Sequence, residues 1–182
     1  VVAAGGITTL DEVRALDRMG ASCQLGMAVY TGKLALADCV VGLGDWDKVD
    51  GLVPVVAQDT AGQVLQCAHA TPEALHQTLT SGRATYWSRS RRALWRKGDT
   101  SGHEQHVKTV RWDCDRDALL YVVEQTGRAC HLPQYSCFGD RDFTLRQLEE
   151  VMHDRLRAPE PGSYTARLFA DPALLHAKLL EE

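Results

Sequence analysis

The hydrophobic pattern of this chain changes twice along its length, and this limits the folds that it can adopt. Residues 1–44 alternate short apolar runs with apolar residues at helical spacing, residues 46–140 contain short alternating segments, and residues 143–182 have helical spacing throughout. The pattern predicts an α+β chain of three parts. These are a βαβα segment, a mostly β domain with one main helix, and an all-α segment.

The first part has the pattern of two strand–helix pairs. Residues 1–4 form a short apolar run, and a capping box over residues 9–12 begins a helix that Gly20 ends. A second strand is predicted over residues 23–26, and a second helix after Lys33. Strands separated by a helix pair in parallel. Because two strands cannot form a sheet that is covered on both faces, we expect an incomplete unit.

The central part begins with a hairpin followed by a helix. Residues 52–58 and 63–68 are strand-like and flank a turn. A helix begins after Thr71 and ends at Gly82, a residue that favours the left-handed conformation. The segments with further strand character are residues 84–88, 106–113 and 118–124.

The last part has helical spacing with one break. A capping box over residues 144–147 begins a helix to about Arg157, residues 158–162 interrupt it, and a last helix begins near Pro172. That helix is still in progress at the end of the chain, and the chain starts within an apolar run. We therefore expect a piece of a longer polypeptide with a truncated all-α segment.

Composition and charge argue against several classes of function. No uninterrupted apolar run has more than six residues, whereas a transmembrane helix needs about 20. No basic start precedes an apolar block, so we expect no secretory signal, a cytoplasmic location and no membrane partner. The net charge of −4 argues against general nucleic-acid binding. The six cysteines are too sparse for a disulfide scaffold and are interpreted as free thiols or metal ligands.

Three cysteines cluster late in the central part. Cys114, Cys130 and Cys137 lie within 24 residues of one another in the sequence. Thiolates suit zinc, and three protein ligands leave one position for water, which is the arrangement of catalytic zinc sites. Zinc-bound water can become hydroxide near neutral pH. The alternative is three buried cysteines without metal.

Three aspartates alternate around the first of these cysteines. In an extended segment Asp113, Asp115 and Asp117 would point to one side, because successive side chains of a strand alternate. Clustered carboxylates that lack an equal number of positive side chains repel one another, and this favours binding of a hard cation such as Mg²⁺. The alternative is a solvated acidic turn.

A basic and aromatic stretch lies between residues 78 and 111. It contains eight basic residues and two acidic ones, with Tyr86, Trp87 and Trp95 interleaved. Arginine binds phosphate through two parallel hydrogen bonds, and aromatic faces stack on bases. The glycine-bounded loop 98–103 is also suited to a phosphate. The stretch predicts a small ligand with a base and more than one phosphate, and the alternative is a solvated basic face.

The same regions resemble a known family. Residues 84–91, 94–103, 113–119 and 129–138 contain blocks that closely resemble the phosphoribosyl-AMP cyclohydrolase family of histidine biosynthesis. The resemblance covers about residues 46–138 and implies hydrolytic opening of the adenine ring of 1-(5-phosphoribosyl)-AMP between N1 and C6. The positions that match the family's zinc ligands are Cys114, Cys130 and Cys137. The positions that match its magnesium ligands are Asp113, Asp115 and Asp117.

Further roles follow from this resemblance. His131, next to a zinc ligand, is the first candidate for general acid–base catalysis and His103 the second, while a structural role remains open for each. Magnesium and the arginines would hold the two phosphate groups. The candidate substrate-binding residues are Trp87, Ser88, Arg89, Arg91, Arg96, Lys97, Thr100 and Ser101. The family is a homodimer with active sites between chains, so the zinc ligands need not all belong to one subunit.

The flanking parts resemble other enzymes of the same pathway. Residues 1–44 are similar to the last two βα units of the phosphoribosylformimino ribonucleotide isomerase, a TIM barrel, whose phosphate-binding glycines match Gly5, Gly6 and Gly26. Residues 143–182 resemble the opening of phosphoribosyl-ATP pyrophosphohydrolase. Both are incomplete, and we expect neither activity from them.

Two alternatives to the cyclohydrolase remain open at this point. One is a non-catalytic, zinc-stabilised nucleotide- or RNA-binding module that uses the surface of residues 86–111. The other is an inactive fragment that aggregates through exposed apolar faces.

Overall fold

The computed structural model describes residues 1–140, 145–159 and 162–181. The chain divides into two units, Val1–Arg141 and Asp142–Glu182. The strands of the first unit are β1 (Val2–Ala4), β2 (Ser22–Gln24), β3 (Val53–Asp59), β4 (Val64–Ala70), β5 (Thr85–Ser88), β6 (Ala93–Arg96), β7 (Gln105–Trp112) and β8 (Leu119–Gln125). Its helices are α1 (Leu10–Arg18), α2 (Met27–Tyr30), α3 (Leu36–Gly42) and α4 (Pro72–Ser81), with a 3₁₀ turn at Asp47–Val49.

A four-stranded mixed sheet forms the centre of the first unit. Its strand order is β4–β3–β8–β7, with β3 antiparallel to β4 and parallel to β8, and β7 antiparallel to β8. Strands β5 and β6 form a separate antiparallel ribbon. The described chain is therefore a mixture of helix and strand in which the predicted hairpin is confirmed.

Alternation along β3 builds the core of this unit. Val53 and Val55 are fully buried, while Pro54 and the other alternate residues of the strand are partly exposed. They belong to one cluster with Leu75 of α4 and with Tyr86 and Tyr121, all with no exposed surface. Each valine or leucine buried in this way contributes roughly 1.5–3 kcal/mol to stability.

A buried chain of hydrogen bonds connects the ribbon to the sheet. The Tyr86 hydroxyl donates to Gln105 Oε1 at 2.6 Å, and Gln105 Nε2 donates to Gln125 Oε1 at 2.9 Å. Burial raises the pKa of Tyr86, so its hydroxyl keeps its proton and serves as the donor. The three side chains therefore link β5 of the ribbon to β7 and the end of β8 in the sheet.

The predicted helix after Thr71 is confirmed. Thr71 Oγ1 accepts a hydrogen bond from the Ala74 backbone N–H at 3.2 Å, and Pro72 occupies the first turn. Gly82 ends the helix with φ +69°, the left-handed conformation that glycine adopts without strain. Strand β6 was not predicted, because its few apolar residues lie within the arginine-rich stretch.

The N-terminal segment contains the predicted parallel pair of strands. Strands β1 and β2, which precede and follow α1 in the sequence, pair in parallel. The capping box is also confirmed, since Thr9 Oγ1 accepts from the Glu12 backbone N–H at 3.3 Å and the Glu12 carboxylate accepts from that of Thr9 at 2.9 Å. Helix α3 begins at Leu36, as expected after Lys33, whereas the one-turn α2 was not predicted. Derivation of this segment from a barrel stays a prediction.

Two tryptophans join this segment to the sheet. The rings of Trp46 and Trp112 meet edge to face with centroids 5.3 Å apart. Trp46 Nε1 donates to the Val41 carbonyl at 2.8 Å, and Trp112 Nε1 donates to the Val40 carbonyl at 2.9 Å. The C-terminal end of α3 is thereby fixed against the end of β7.

Gly44 lies where these two rings leave no space for a side chain. A Cβ at Gly44 would lie 2.5 Å from the Trp112 ring and 2.8 Å from Trp46 Nε1. We expect Gly44→Ala to lower the free energy of unfolding by about 1–3 kcal/mol, the usual cost of overpacking. Chemical denaturation followed by tryptophan fluorescence measures this change. An unchanged midpoint would show that the two rings are not tightly packed.

The second unit contains three described helices, α5 (Leu145–Arg157), α6 (Tyr164–Ala170) and α7 (Pro172–Glu181). The predicted capping residue Thr144 lies outside the described residues, as do Glu160 and Pro161 of the predicted break. Helix α6 was not predicted. No helix within the described part of the chain combines the length and the apolar character needed to cross a bilayer.

Candidate active site

A cavity of about 650 Å³ opens beside β6 in the first unit. Its wall combines the end of β6, the loop 98–103 and the segment 128–137 that follows β8. Cysteine and histidine side chains, which can donate electron pairs to a metal ion, face the same space as cationic side chains. The sequence-predicted residues on this wall are Arg91, Lys97, Thr100, Ser101, His103, Cys130, His131 and Cys137.

Two thiols lie together in this cavity. Cys130 is buried and Cys137 is exposed. Burial, and then the neighbouring Cys130 thiol, raise the pKa of Cys137. Two adjacent thiols that must both lose a proton are a donor pair that a soft metal ion such as zinc would stabilise.

The segment that carries the second thiol is held by the hairpin. The Cys137 backbone N–H donates to the Leu65 carbonyl at 2.8 Å, and Ser136 Oγ donates to the Val64 carbonyl at 2.7 Å. The Tyr135 hydroxyl donates to Asp59 Oδ2 at 2.9 Å. Because these contacts come from paired strands of the sheet, β4 and the end of β3 determine where Cys137 lies.

Cys114 occupies a different place in the chain. It is exposed on the turn between β7 and β8, with its Sγ 3.9 Å from Asp115 Oδ1. It does not line the cavity of Cys130 and Cys137. Within one chain, the described residues contain one set of three potential ligand atoms within 4.8 Å of one another, and that set is the three aspartates.

Lys97 provides the buried cation of the cavity. Only 7% of its surface is exposed, and its Nζ donates to the Ala129 carbonyl at 2.5 Å. Burial lowers the pKa of Lys97, whereas the nearby Cys130 and Cys137 raise it. The ammonium also lies 5.8 Å from the centroid of the Trp95 ring. It is therefore placed to stabilise negative charge on the two sulfurs.

The three aspartates do come together, but through a turn. Asp113 Oδ1 accepts hydrogen bonds from the backbone N–H groups of Asp117 at 3.0 Å and Ala118 at 3.1 Å, and Arg116 has φ +65°. The prediction of an extended segment is therefore wrong here. Side chain-to-backbone bonds close a loop, and such bonds compete with strand geometry.

Lys48 is bonded to this acidic turn. Its Nζ forms ion pairs with Asp115 and, at 2.5 Å, with Asp117. The hydrogen bond from Lys48 lowers the pKa of Asp115, and the same contacts raise the pKa of Lys48. The pairing of Lys48 with the acidic turn was not predicted, because Lys48 and Asp115 are 67 residues apart in the sequence.

Half of the predicted substrate-binding residues do not line the cavity of one chain. Trp87 and Ser88 lie on β5, Arg96 lies on β6, and Arg89 lies in the exposed turn between these strands. Ser88 Oγ instead accepts a hydrogen bond from Arg91 Nε at 3.2 Å. The ribbon has two faces, so a continuous block of sequence cannot point to one cavity.

The two candidate histidines both lie on the cavity wall. His131 Nδ1 is 4.0 Å from Cys130 Sγ. His103 packs against Gly127, where a Cβ would lie 2.3 Å from His103 Nδ1. Sequence reasoning missed Arg128, which also lines the cavity. A basic residue two positions before Cys130 was the available signal.

Thiolate donors and cationic side chains in one cavity suit a soft metal ion together with an anionic ligand. Comparison with known proteins identifies the family. Residues 66–139 match the family model described as phosphoribosyl-AMP cyclohydrolase. This chain belongs to that family, as its resemblance predicted.

Three relatives show the extent of the similarity. The chain is 50% identical over 130 residues to the histidine biosynthesis bifunctional protein HisIE of Gloeobacter violaceus, covering 65% of this chain and 60% of that protein. It is 42% identical over 140 residues to HisIE of Pyrococcus furiosus, covering 70% and 67%. It is 41% identical over 151 residues to the histidine biosynthesis trifunctional protein of Neurospora crassa, covering 83% and 17%. The chain thus spans less than two thirds of the Gloeobacter protein.

Proposed function

We propose that this chain opens the adenine ring of 1-(5-phosphoribosyl)-AMP by hydrolysis between N1 and C6, a step of histidine biosynthesis. The observation that carries the proposal is the meeting of Cys130 and Cys137 with Lys97 and Arg91 in one cavity. A metal-binding pair and phosphate-binding cations then face the same ligand. The names of the relatives, which are histidine biosynthesis proteins, support the choice of pathway.

The two cavity thiols fit zinc. They are adjacent, and Lys97 beside them favours the thiolate form of Cys137. When bound, zinc would supply a water molecule of lowered pKa that is able to attack a ring carbon at neutral pH. Cys114 is exposed and separate from this pair in one chain, which suits a third ligand donated by a second copy. The proposed assembly is accordingly a homodimer with active sites between chains.

The other cavity residues would bind and orient the substrate. Arg91 and Arg128 supply guanidinium groups for phosphate oxygens, and Thr100 and Ser101 supply hydroxyls from the glycine-bounded loop. His131 and His103 would move protons to or from the ring nitrogens during opening, with His131 nearer to the thiol pair. The acidic turn would hold magnesium through Asp113, Asp115 and Asp117, whose oxygens lie within 4.8 Å of one another.

Metal analysis combined with an absorbance assay for ring opening tests this function. The expected result is bound zinc, magnesium-dependent ring opening and loss of turnover when zinc is removed by a chelator. Retention of nucleotide binding without zinc, and no ring-opened product in its presence, would instead identify a non-catalytic binding module.

Arg91 gives a separate test of substrate binding. We expect Arg91→Ala to raise KM by about 10- to 100-fold, because a charge-assisted hydrogen bond to phosphate is lost. Initial rates over a range of substrate concentrations measure this change. Arg18→Ala, an exposed arginine of α1, serves as the control. An unchanged KM would remove Arg91 from the phosphate site, and Arg89→Ala in the same assay tests the residue assigned from sequence.

A further inference from the structure

The ammonium of Lys48 lies among the carboxylates of the acidic turn, where a bound metal ion would lie. Its Nζ contacts carboxylate oxygens of both Asp115 and Asp117, whose side chains converge with that of Asp113. One ammonium thus meets two of the three carboxylates proposed to hold magnesium. The three carboxylates exceed this ammonium by two negative charges, and Arg116 of the same turn is paired with Asp17 instead, so the carboxylates still attract a divalent cation.

The backbone keeps Lys48 beside the turn. The Asp45 backbone N–H donates to the Arg116 carbonyl at 2.8 Å, and the Lys48 backbone N–H donates to Asp45 Oδ1 at 3.4 Å. The Gly51 backbone N–H donates to the Trp46 carbonyl at 2.7 Å, which closes the segment that carries the lysine. Because the lysine is tethered in this way, its ammonium remains at high local concentration near the carboxylates.

An ammonium and a magnesium ion compete for the same carboxylate oxygens, because two cations this close to each other repel. Magnesium requires oxygen ligands at about 2.0–2.1 Å in octahedral geometry. The oxygen of Asp117 that faces Lys48 is 2.5 Å from Nζ, so a cation bound there would have to displace the lysine. The side chain of Lys48 is 43% exposed, and exposed ion pairs are weak. A divalent cation can therefore displace the Lys48 ammonium, and the competition lowers the affinity of the turn for that cation only moderately.

We propose that Lys48 is an internal counter-cation of the acidic turn, which a divalent cation must displace, and that it thereby sets the affinity of the turn for that cation. This inference rests on the proposed magnesium site. The opposite role would be a brace that pre-shapes the turn for the ion. The two roles give opposite signs when the ammonium is removed, because loss of a competitor strengthens binding and loss of a brace weakens it.

Isothermal titration calorimetry of the full chain with Mg²⁺ as the only added ligand tests the proposal. We expect Lys48→Met to bind Mg²⁺ about 3- to 10-fold more tightly than the parent. Lys108→Met is the matched control, since Lys108 is an exposed lysine paired with Glu124 at 2.6 Å. The control should bind with unchanged affinity. Lys48→Gln provides a second neutral variant in case the methionine protein does not fold.

Thermal unfolding gives a second readout that needs no turnover. Without added cation, Lys48→Met should melt at a lower temperature, because the turn loses its counter-ion. Its rise in Tm on addition of Mg²⁺ should exceed that of the parent. Equal or weaker Mg²⁺ binding by both neutral variants would overturn the role of Lys48 while leaving the magnesium site intact. Absence of Mg²⁺ binding in parent and variants alike would overturn both.

Discussion

Replacement of Cys130 by alanine is expected to remove bound zinc and to reduce ring opening to below about one thousandth of the parent rate. Cys130 is 5% exposed and shares its cavity with Cys137. A single remaining cavity thiol cannot hold the ion in the proposed geometry. Elemental analysis of the purified protein and the absorbance assay measure the two effects.

Cys67→Ala is the matched control for this change. Cys67 is an exposed cysteine on β4 that does not line the cavity. The control protein should keep both zinc and turnover. A zinc-free Cys130→Ala protein that opens the ring at the parent rate would contradict the proposed mechanism.

Lys97→Met is expected to lower zinc affinity and turnover by about 10- to 100-fold, as changes beside metal ligands commonly do. The variant removes the cation that favours the Cys137 thiolate, and it leaves the buried Ala129 carbonyl without its donor. We also expect the free energy of unfolding to fall by about 1–3 kcal/mol.

The pH dependence identifies the electrostatic part of this effect. Removal of Lys97 raises the pKa of Cys137 further, so a smaller fraction is thiolate at a given pH. The loss of zinc affinity should therefore be largest at low pH and diminish as the pH rises above that pKa. Competition titrations with a zinc indicator at several pH values measure it. A loss that is the same at every pH would assign Lys97 a purely structural role.

Local signals in the sequence predicted local structure well. The capping box of Thr9 and Glu12, and the helix between Thr71 and Gly82, are present as expected. Each depends on hydrogen bonds or backbone angles within a few residues, which neighbouring sequence specifies. The short elements α2, β6 and α6 were missed, because four to seven residues carry too little periodicity to be distinguished from loops.

For the three aspartates, the sequence predicted the cluster of carboxylates but not the backbone geometry that forms it. Alternation of Asp113, Asp115 and Asp117 correctly indicated a carboxylate cluster. It was wrong about the backbone, because Asp113 bonds to the N–H groups of Asp117 and Ala118 and closes a turn. The same cluster therefore arises from a loop rather than from one face of a strand.

The sequence alone determined the chemical groups of this protein and its family, because thiols, carboxylates and arginines in characteristic blocks carry that information directly. Only the tertiary structure decided which of them meet. The parallel pairing of β3 with β8 and the return of the chain after β8 bring Cys130 and Cys137 to Lys97 and separate them from Cys114 within one chain. Lys48 reaches the acidic turn in the same way, since contacts between distant residues depend on how the strands pair and not on local sequence.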